Sequence, residues 1–214
     1  MIASTWRYPA DAYHWLLSTI AAKGDLMRSE DGKLCRERCN IGVTILEPLS
    51  GWPIPDSKWP SIAALDSYAE QLLSGENNTG FEYTYGERLR AYPISWWSLR
   101  VKHFDSDKDL NIDQIKYCIN KLRASPSTRR AVAPIWIPEH DSTAKEVPCL
   151  QIVDFLLRSG KLNLTAFFRS WDASRAAPAN MYGLGRLLQH VANAVGCPTG
   201  SLTIVAASGH IYED

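Results

Sequence analysis

From Leu150 to Phe168 the chain carries the pattern a β-hairpin requires. Leu150, Ile152, Val153, Phe155 and Leu156 form one apolar run, and Leu162, Leu164, Ala166 and Phe168 alternate with polar neighbours in a second. Side chains on a strand point to opposite faces in turn, so the second run buries one face, and Gly160 in a Ser-Gly-Lys turn folds it back on the first. The hairpin has a chemical corollary. Cys149 opens the first strand directly after Pro148, which lacks an N–H and fixes its own φ, and Arg169 and Ser170 close the second. Antiparallel pairing would set thiol and guanidinium near the same end of adjacent strands. That juxtaposition suits a nucleophile working beside a bound anion.

Composition limits what such a pair belongs to. At 214 residues and 45% apolar, the chain can bury one sizeable core, so one domain spanning residues 1–214 is expected. Its 23 basic and 23 acidic residues cancel, which argues against a nucleic acid polymer as partner. No apolar run approaches the roughly 20 residues of a membrane helix, and Trp6-Arg7-Tyr8-Pro9 does not resemble a signal peptide. A cytoplasmic protein away from membranes is expected, with its five cysteines as free thiols.

Helical spacing appears over residues 10–23 (Ala10, Tyr13, Leu16, Leu17, Ile20) and again over 62–73 (Ile62, Leu65, Tyr68, Ala69, Leu72, Leu73), where Asp66 and Glu70 lie four apart. Between them Arg28, Arg36 and Arg38 occupy a polar stretch before a strand at 41–46. A third helix is predicted over 112–124, capped by Asn111, and a buried strand over 131–137 follows Ser127-Thr128-Arg129-Arg130. Asn180 opens a fourth helix closed by Gly196, and a last strand, 202–207, leads to Ser208-Gly209-His210-Ile211-Tyr212. Strands interspersed with helices predict a sheet layered with helices, α/β or α+β.

Several motifs carry less than they suggest. Asp105, Asp107 and Asp109 alternate like a calcium loop, but Leu110 stands where the turn needs Gly, and Lys116 where the bidentate Glu belongs. Cys35 and Cys39 have no second Cys/His pair at ligand spacing, so no metal is expected. There is no phosphate-binding glycine loop of the common nucleotide folds and no Gly-x-Ser-x-Gly. A cysteine at a strand start is ordinarily a small buried hydrophobe. Nearby guanidinium groups from Arg129-Arg130 and Arg169 would lower its pKa and favour a nucleophile, and with Ser170 they suit bidentate phosphate recognition.

Tyr85-Gly86, Ser127-x-Arg129-Arg130, Pro148-Cys149, Arg169-Ser170-x-Asp172, Asn180 and His210-x-Tyr212 together resemble, in order and spacing, the thymidylate synthase family, which includes the pyrimidine nucleotide hydroxymethylases. Arg129, Cys149 and Arg169 follow at intervals of 20 residues, Asn180 lies 8 beyond Asp172, and His210 lies 30 beyond Asn180. The resemblance runs from about residue 28 to the C-terminus. It implies an α+β fold, a mixed β-sheet packed with helices, with a sheet face at a homodimer interface. It implies a methyltransferase that moves a one-carbon unit from 5,10-methylene-tetrahydrofolate or methylene-tetrahydromethanopterin to C5 of dUMP. Cys149 would be the thiolate that adds to C6, Tyr85 would help remove the C5 proton, and Asp172 would contact the pterin. Arg169 and Ser170 would hold the phosphate, joined by Arg129 and Arg130 from the other subunit, and Arg36 or Arg38 would be the closing arginine of an N-terminal loop. Asn180 would pair with the uracil edge, and His210 and Tyr212 would hold the sugar 3′-hydroxyl. A general acid/base is implied on the helix before Gly75, for which Glu70 is the first candidate and Asp66 the second.

Two departures dry the pocket: Leu150 stands where the family has a histidine after the cysteine, and Phe168 where it has a glutamine before Arg-Ser. The chain also stops two residues after Tyr212, which resembles the short archaeal members. The tail that closes over the folate in longer members is then absent or replaced from elsewhere. If water reaches the methylene intermediate, the product is 5-hydroxymethyl-uridylate, so a nucleotide 5-hydroxymethylase is the alternative.

Overall fold

In the computed structural model, residues 1–59, 61–93 and 111–213 are described. The Asp105, Asp107, Asp109 and Leu110 positions fall outside them. The hairpin is present as expected: β7 (Leu150–Arg158) and β8 (Lys161–Asp172) pair antiparallel, turning at Ser159 and Gly160, both with positive φ. Its register slips between Leu150 and Ile152, a bulge that sits immediately after Cys149 and re-aims the chain there. On β8, Leu162, Leu164, Ala166 and Phe168 are buried while Thr165 and Phe167 are exposed, so the alternation read from the sequence does face a core. Burial of each of the large side chains contributes about 1.5–3 kcal/mol.

The hairpin is the middle of a seven-stranded mixed sheet. Its order is β1-β3-β9-β8-β7-β6, from β1 (Ile2–Trp6), β3 (Leu34–Ile45), β9 (Thr199–Tyr212) and β6 (Val132–Pro134), with β2 (Asp25–Arg28) pairing antiparallel on β3 beside β1. β8 and β9 run parallel, in a register that sets Ser170 against Ser208 and Asp172 against His210. Parallel strands need a crossover, and here it is α6 (Ala177–Val195), whose Met181, Leu184, Leu188 and Val191 are buried. α6 packs on β8 and β9, and against α1 (Pro9–Lys23), α2 (Ile62–Leu73) and α4 (Gln114–Ala124). The fold is therefore α+β, a mixed sheet layered with helices.

Several boundaries differ from the sequence expectation, each for a local reason; β9, expected over 202–207, runs Thr199–Tyr212 because the polar half of β3 pairs with it as far as Tyr212. The cap of α4 is Asp113, whose carboxylate accepts from Lys116 N at 2.9 Å; Asn111 instead pairs with Pro93 in the ribbon of β4 (Tyr92–Pro93) and β5 (Asn111–Ile112). α6 starts at Ala177, three residues before Asn180, because Pro178 fits a first helical turn. β3 starts at Leu34, since β2 and β9 pair with its polar half. The strand expected over 131–137 shortens to Val132–Pro134, where Ile137 gives way to α5 (Pro138–Asp141). A short α3 (Tyr85–Arg90) is fixed by a Thr84/Glu87 capping box and packs against the end of α2. Gly86 permits that approach: a Cβ there would collide with the carbonyl oxygens of Gln71 and Ser74.

Candidate active site

The carboxyl ends of β8 and β9, the start of β7, α2, α3 and α6 enclose a cavity of about 680 Å³. Arg169 N donates to Cys149 O at 2.9 Å, so the ladder itself joins the two residues that the hairpin was expected to bring together. The Arg169 side chain turns back as well, Nε donating to Pro148 O (3.0 Å) and Nη2 to Val147 O (2.8 Å). The guanidinium thus braces the segment that carries the thiol and still lines the cavity.

The thiol itself corrects one expectation. Burial pushes the Cys149 pKa above its ordinary value; Arg169 pulls it down, while Glu146 and Asp172 add to the rise. Arg169 alone therefore does not hold Cys149 as a thiolate. Beside it Tyr85 accepts from Leu150 N at 3.3 Å, and burial raises its pKa well above the usual phenol, so it stands as a neutral donor. Burial likewise holds Tyr83 up at about 12.

Asn180, Ser170, Asp172, His210 and Tyr212 line the same cavity. Asp172 Oδ1 accepts from Ser174 N, Ser174 Oγ and Arg175 N, which fixes the turn between β8 and α6. His210 packs edge-on against Tyr212 with 5.0 Å between ring centres, and burial lowers its pKa, so the imidazole is neutral near pH 7. Eight of the sequence candidates thus meet: Cys149, Tyr85, Arg169, Ser170, Asp172, Asn180, His210 and Tyr212.

The others do not meet there. Glu70 is exposed, and Asp66 is tied up by Tyr182, whose hydroxyl donates to Asp66 Oδ1 at 2.5 Å. Two residues along a helix turn a side chain some 200°, and the residue of α2 that lines the cavity is Tyr68, midway between them in sequence. Gly183 of α6 makes room for it: a Cβ at that position would lie 2.8 Å from the Tyr68 ring. Arg36 and Arg38 lie within β3 rather than in a loop, paired with Ile211 and Gly209, and Arg36 Nε meets Glu213 at 2.6 Å. Neither lines the cavity. Arg129 and Arg130 are exposed just before β6 and are likewise absent from its lining.

Tyr68 was the residue missed, although the apolar stripe Leu65, Ala69, Leu72 already placed it inward. Trp171 was missed too: 1% exposed and stacked on Phe168, it donates from Nε1 to Asn180 Oδ1 at 3.1 Å. A second recess of about 520 Å³, lined by Phe81, Tyr83, Gln71 and Thr84, shares Tyr68, Tyr85 and Glu146 with the first. Phe81, Tyr68, Tyr83 and Tyr85 make its walls largely aromatic.

A half-buried thiol, an arginine and a serine at the strand ends of one mixed sheet, with an amide from α6 facing the same cavity, suit an enzyme that takes a small anionic ligand. Residues 52–214 match the family model described as thymidylate synthase. The chain is 42% identical over 204 residues to a Methanosarcina acetivorans protein and 40% to one from Methanosarcina barkeri, covering 95% of this chain and 86% of each relative. A Methanothermobacter thermautotrophicus protein is 37% identical, covering 95% of this chain and 90% of its own; all three bear the name "Putative thymidylate synthase". The chain belongs to the thymidylate synthase family, and is by that membership a methyltransferase acting on dUMP. Among the described residues no group of three or more His, Cys, Asp or Glu is placed to hold a metal, and no helix is long and apolar enough to cross a membrane.

Proposed function

We propose that the protein converts dUMP to dTMP through a covalent bond from Cys149 Sγ to C6 of the base. The observation that supports this reading is the shared cavity: Cys149, Arg169, Ser170 and Asn180 line one space, joined to an aromatic recess through Tyr68, Tyr85 and Glu146. Attack at C6 moves the C5–C6 π electrons toward C5 and O4, which makes C5 nucleophilic. Arg169 and Ser170 hold the phosphate, His210 and Tyr212 the sugar hydroxyl, and Asn180 the N3–O4 edge. Burial raises the thiol pKa, so ionisation is coupled to substrate entry, with the neutral phenol of Tyr85 available to relay the proton. A methylene-tetrahydropterin, when bound in the aromatic recess, supplies the one-carbon unit and the hydride. The walls Phe81 and Tyr83 orient that ring, and Asp172 reaches it from the adjoining cavity, which shares Tyr68, Tyr85 and Glu146 with the recess. After C5 has bonded to the one-carbon unit, loss of the C5 proton would expel the carrier nitrogen from that carbon and leave an exocyclic methylene; a hydride from the tetrahydropterin, which becomes a dihydropterin, would reduce it as Sγ departs from C6.

The charge of the cavity supports a homodimer. Its lining holds four carboxylates, Glu30, Asp31, Glu146 and Asp172, against Lys145 and Arg169. A phosphate needs more positive charge than that, and the exposed pair Arg129 and Arg130 on a partner subunit meets the need. The uncovered sheet face, where Phe167 is exposed and Thr44 and Thr203 bond across strands at 3.0 Å, is the surface for that pairing. Mass spectrometry of the nucleotide formed from dUMP and each methylene-tetrahydropterin tests the reaction. A product heavier by CH₂ is expected; one heavier by CH₂O would make the protein a hydroxymethylase, and unchanged dUMP with both carriers would remove the reading.

A further inference from the structure

The amide that lines the cavity is held at both ends. Asn180 is 6% exposed; its Oδ1 accepts from Trp171 Nε1 at 3.1 Å, and its Nδ2 donates to the Tyr68 hydroxyl at 2.6 Å. These two partners are not equivalent. A phenol oxygen can accept or donate and so tolerates either end of an amide, whereas an indole N–H can only donate. With the amide turned over, the Asn180 NH₂ would face the indole N–H, and two buried donors would lack acceptors. The indole therefore decides which way the amide points.

We propose that Trp171 is a positioning residue for base selectivity: by fixing the Asn180 amide in one orientation, it makes the cavity read uracil and reject cytosine. The proposal deepens the reading of Asn180 as the base-pairing group and rests on it. Each end of the amide has spent one bond, so Oδ1 keeps one lone pair and Nδ2 keeps one N–H for the ligand. Uracil offers N3–H to the first and O4 to the second. Cytosine reverses both, presenting an acceptor at N3 and a donor at the 4-amino group, and would need the inverted amide. Tyr68 completes the clamp, held between α2 and α6 by the close approach that Gly183 permits. Trp171 is itself immobilised, stacked on Phe168 at 5.8 Å with rings 23° apart.

The test is the ratio of kcat/KM for dUMP to that for dCMP, measured in Trp171→Phe, which keeps the stacked ring and removes the N–H. The ratio is expected to fall by about tenfold, with a smaller loss on dUMP itself, since one buried donor bond guards the orientation. A carboxylate is unchanged by a half-turn, so in the Asn180→Asp background the same Trp171→Phe change should leave the ratio within about twofold. An unaltered ratio in the native background, or an equal change in both, overturns the proposal. Trp171→Met, also without a donor, repeats the test should the phenylalanine variant fail to fold. A native enzyme that shows no preference for dUMP removes Asn180 as base reader and the proposal with it. A native preference whose ratio is unchanged by loss of the indole removes the proposal alone.

Discussion

Cys149 shows what a single residue can and cannot disclose from sequence. Its neighbours along the chain, Pro148 and the strand that follows, place it at a sheet end, and Arg169 does arrive beside it. The sign of the pKa shift was not legible, because it depends on burial by segments far away in sequence, against which a single guanidinium is outweighed. The consequence is measurable as alkylation by iodoacetamide, followed at the Cys149 peptide by mass spectrometry. Only the thiolate reacts, so a raised pKa predicts a rate that climbs about tenfold per pH unit from about pH 7 to 9 without levelling. Arg169→Ala should slow it at every pH in that range, by removing the charge that opposes burial. A plateau below about pH 8 would contradict this assignment. Glu70 was chosen for its chemistry, yet the stripe of Leu65, Ala69 and Leu72 had already turned it outward and Tyr68 inward.

Among the elements, those with strong periodicity were legible: the hairpin, the helices over Pro9–Lys23 and Ile62–Leu73, and the long crossover helix. The polar half of β3 was not, because charged residues paired between two other strands carry no alternation signal. The site is where several elements converge, and that convergence depends on glycine contacts that look like nothing in sequence. Gly183 is the case that touches function, since α2 brings Tyr68 to within a side chain's thickness of α6 there. Gly183→Ala should displace the Tyr68 ring, lowering stability by about 1–3 kcal/mol through overpacking and weakening dUMP binding together. Thermal denaturation and calorimetric titration with dUMP check the two effects. A variant with the native melting temperature and native affinity would show that the contact yields without cost.

At the scale of the whole molecule, one chain brings Cys149, Asn180, His210 and Tyr212 to one cavity but sets only Lys145 and Arg169 against four carboxylates among the lining residues. The proposed twofold partner lending Arg129 and Arg130 would close that gap, and the proposal predicts complementation. Cys149→Ser and Arg129→Ala/Arg130→Ala chains, each inactive alone, should regain about a quarter of native activity when unfolded and refolded as a mixture, because half the dimers then hold one intact site. Activity that stays absent would mean that the two arginines serve their own subunit or none. The central claim is narrower than the dimer: the Cys149 sulfur adds to C6 and thereby labilises the hydrogen at C5. The most direct measurement is release of tritium from C5-labelled dUMP in the presence of a methylene-tetrahydropterin. The native protein should release it, and Cys149→Ser should release none while still binding dUMP; equal release by both proteins would contradict the assignment.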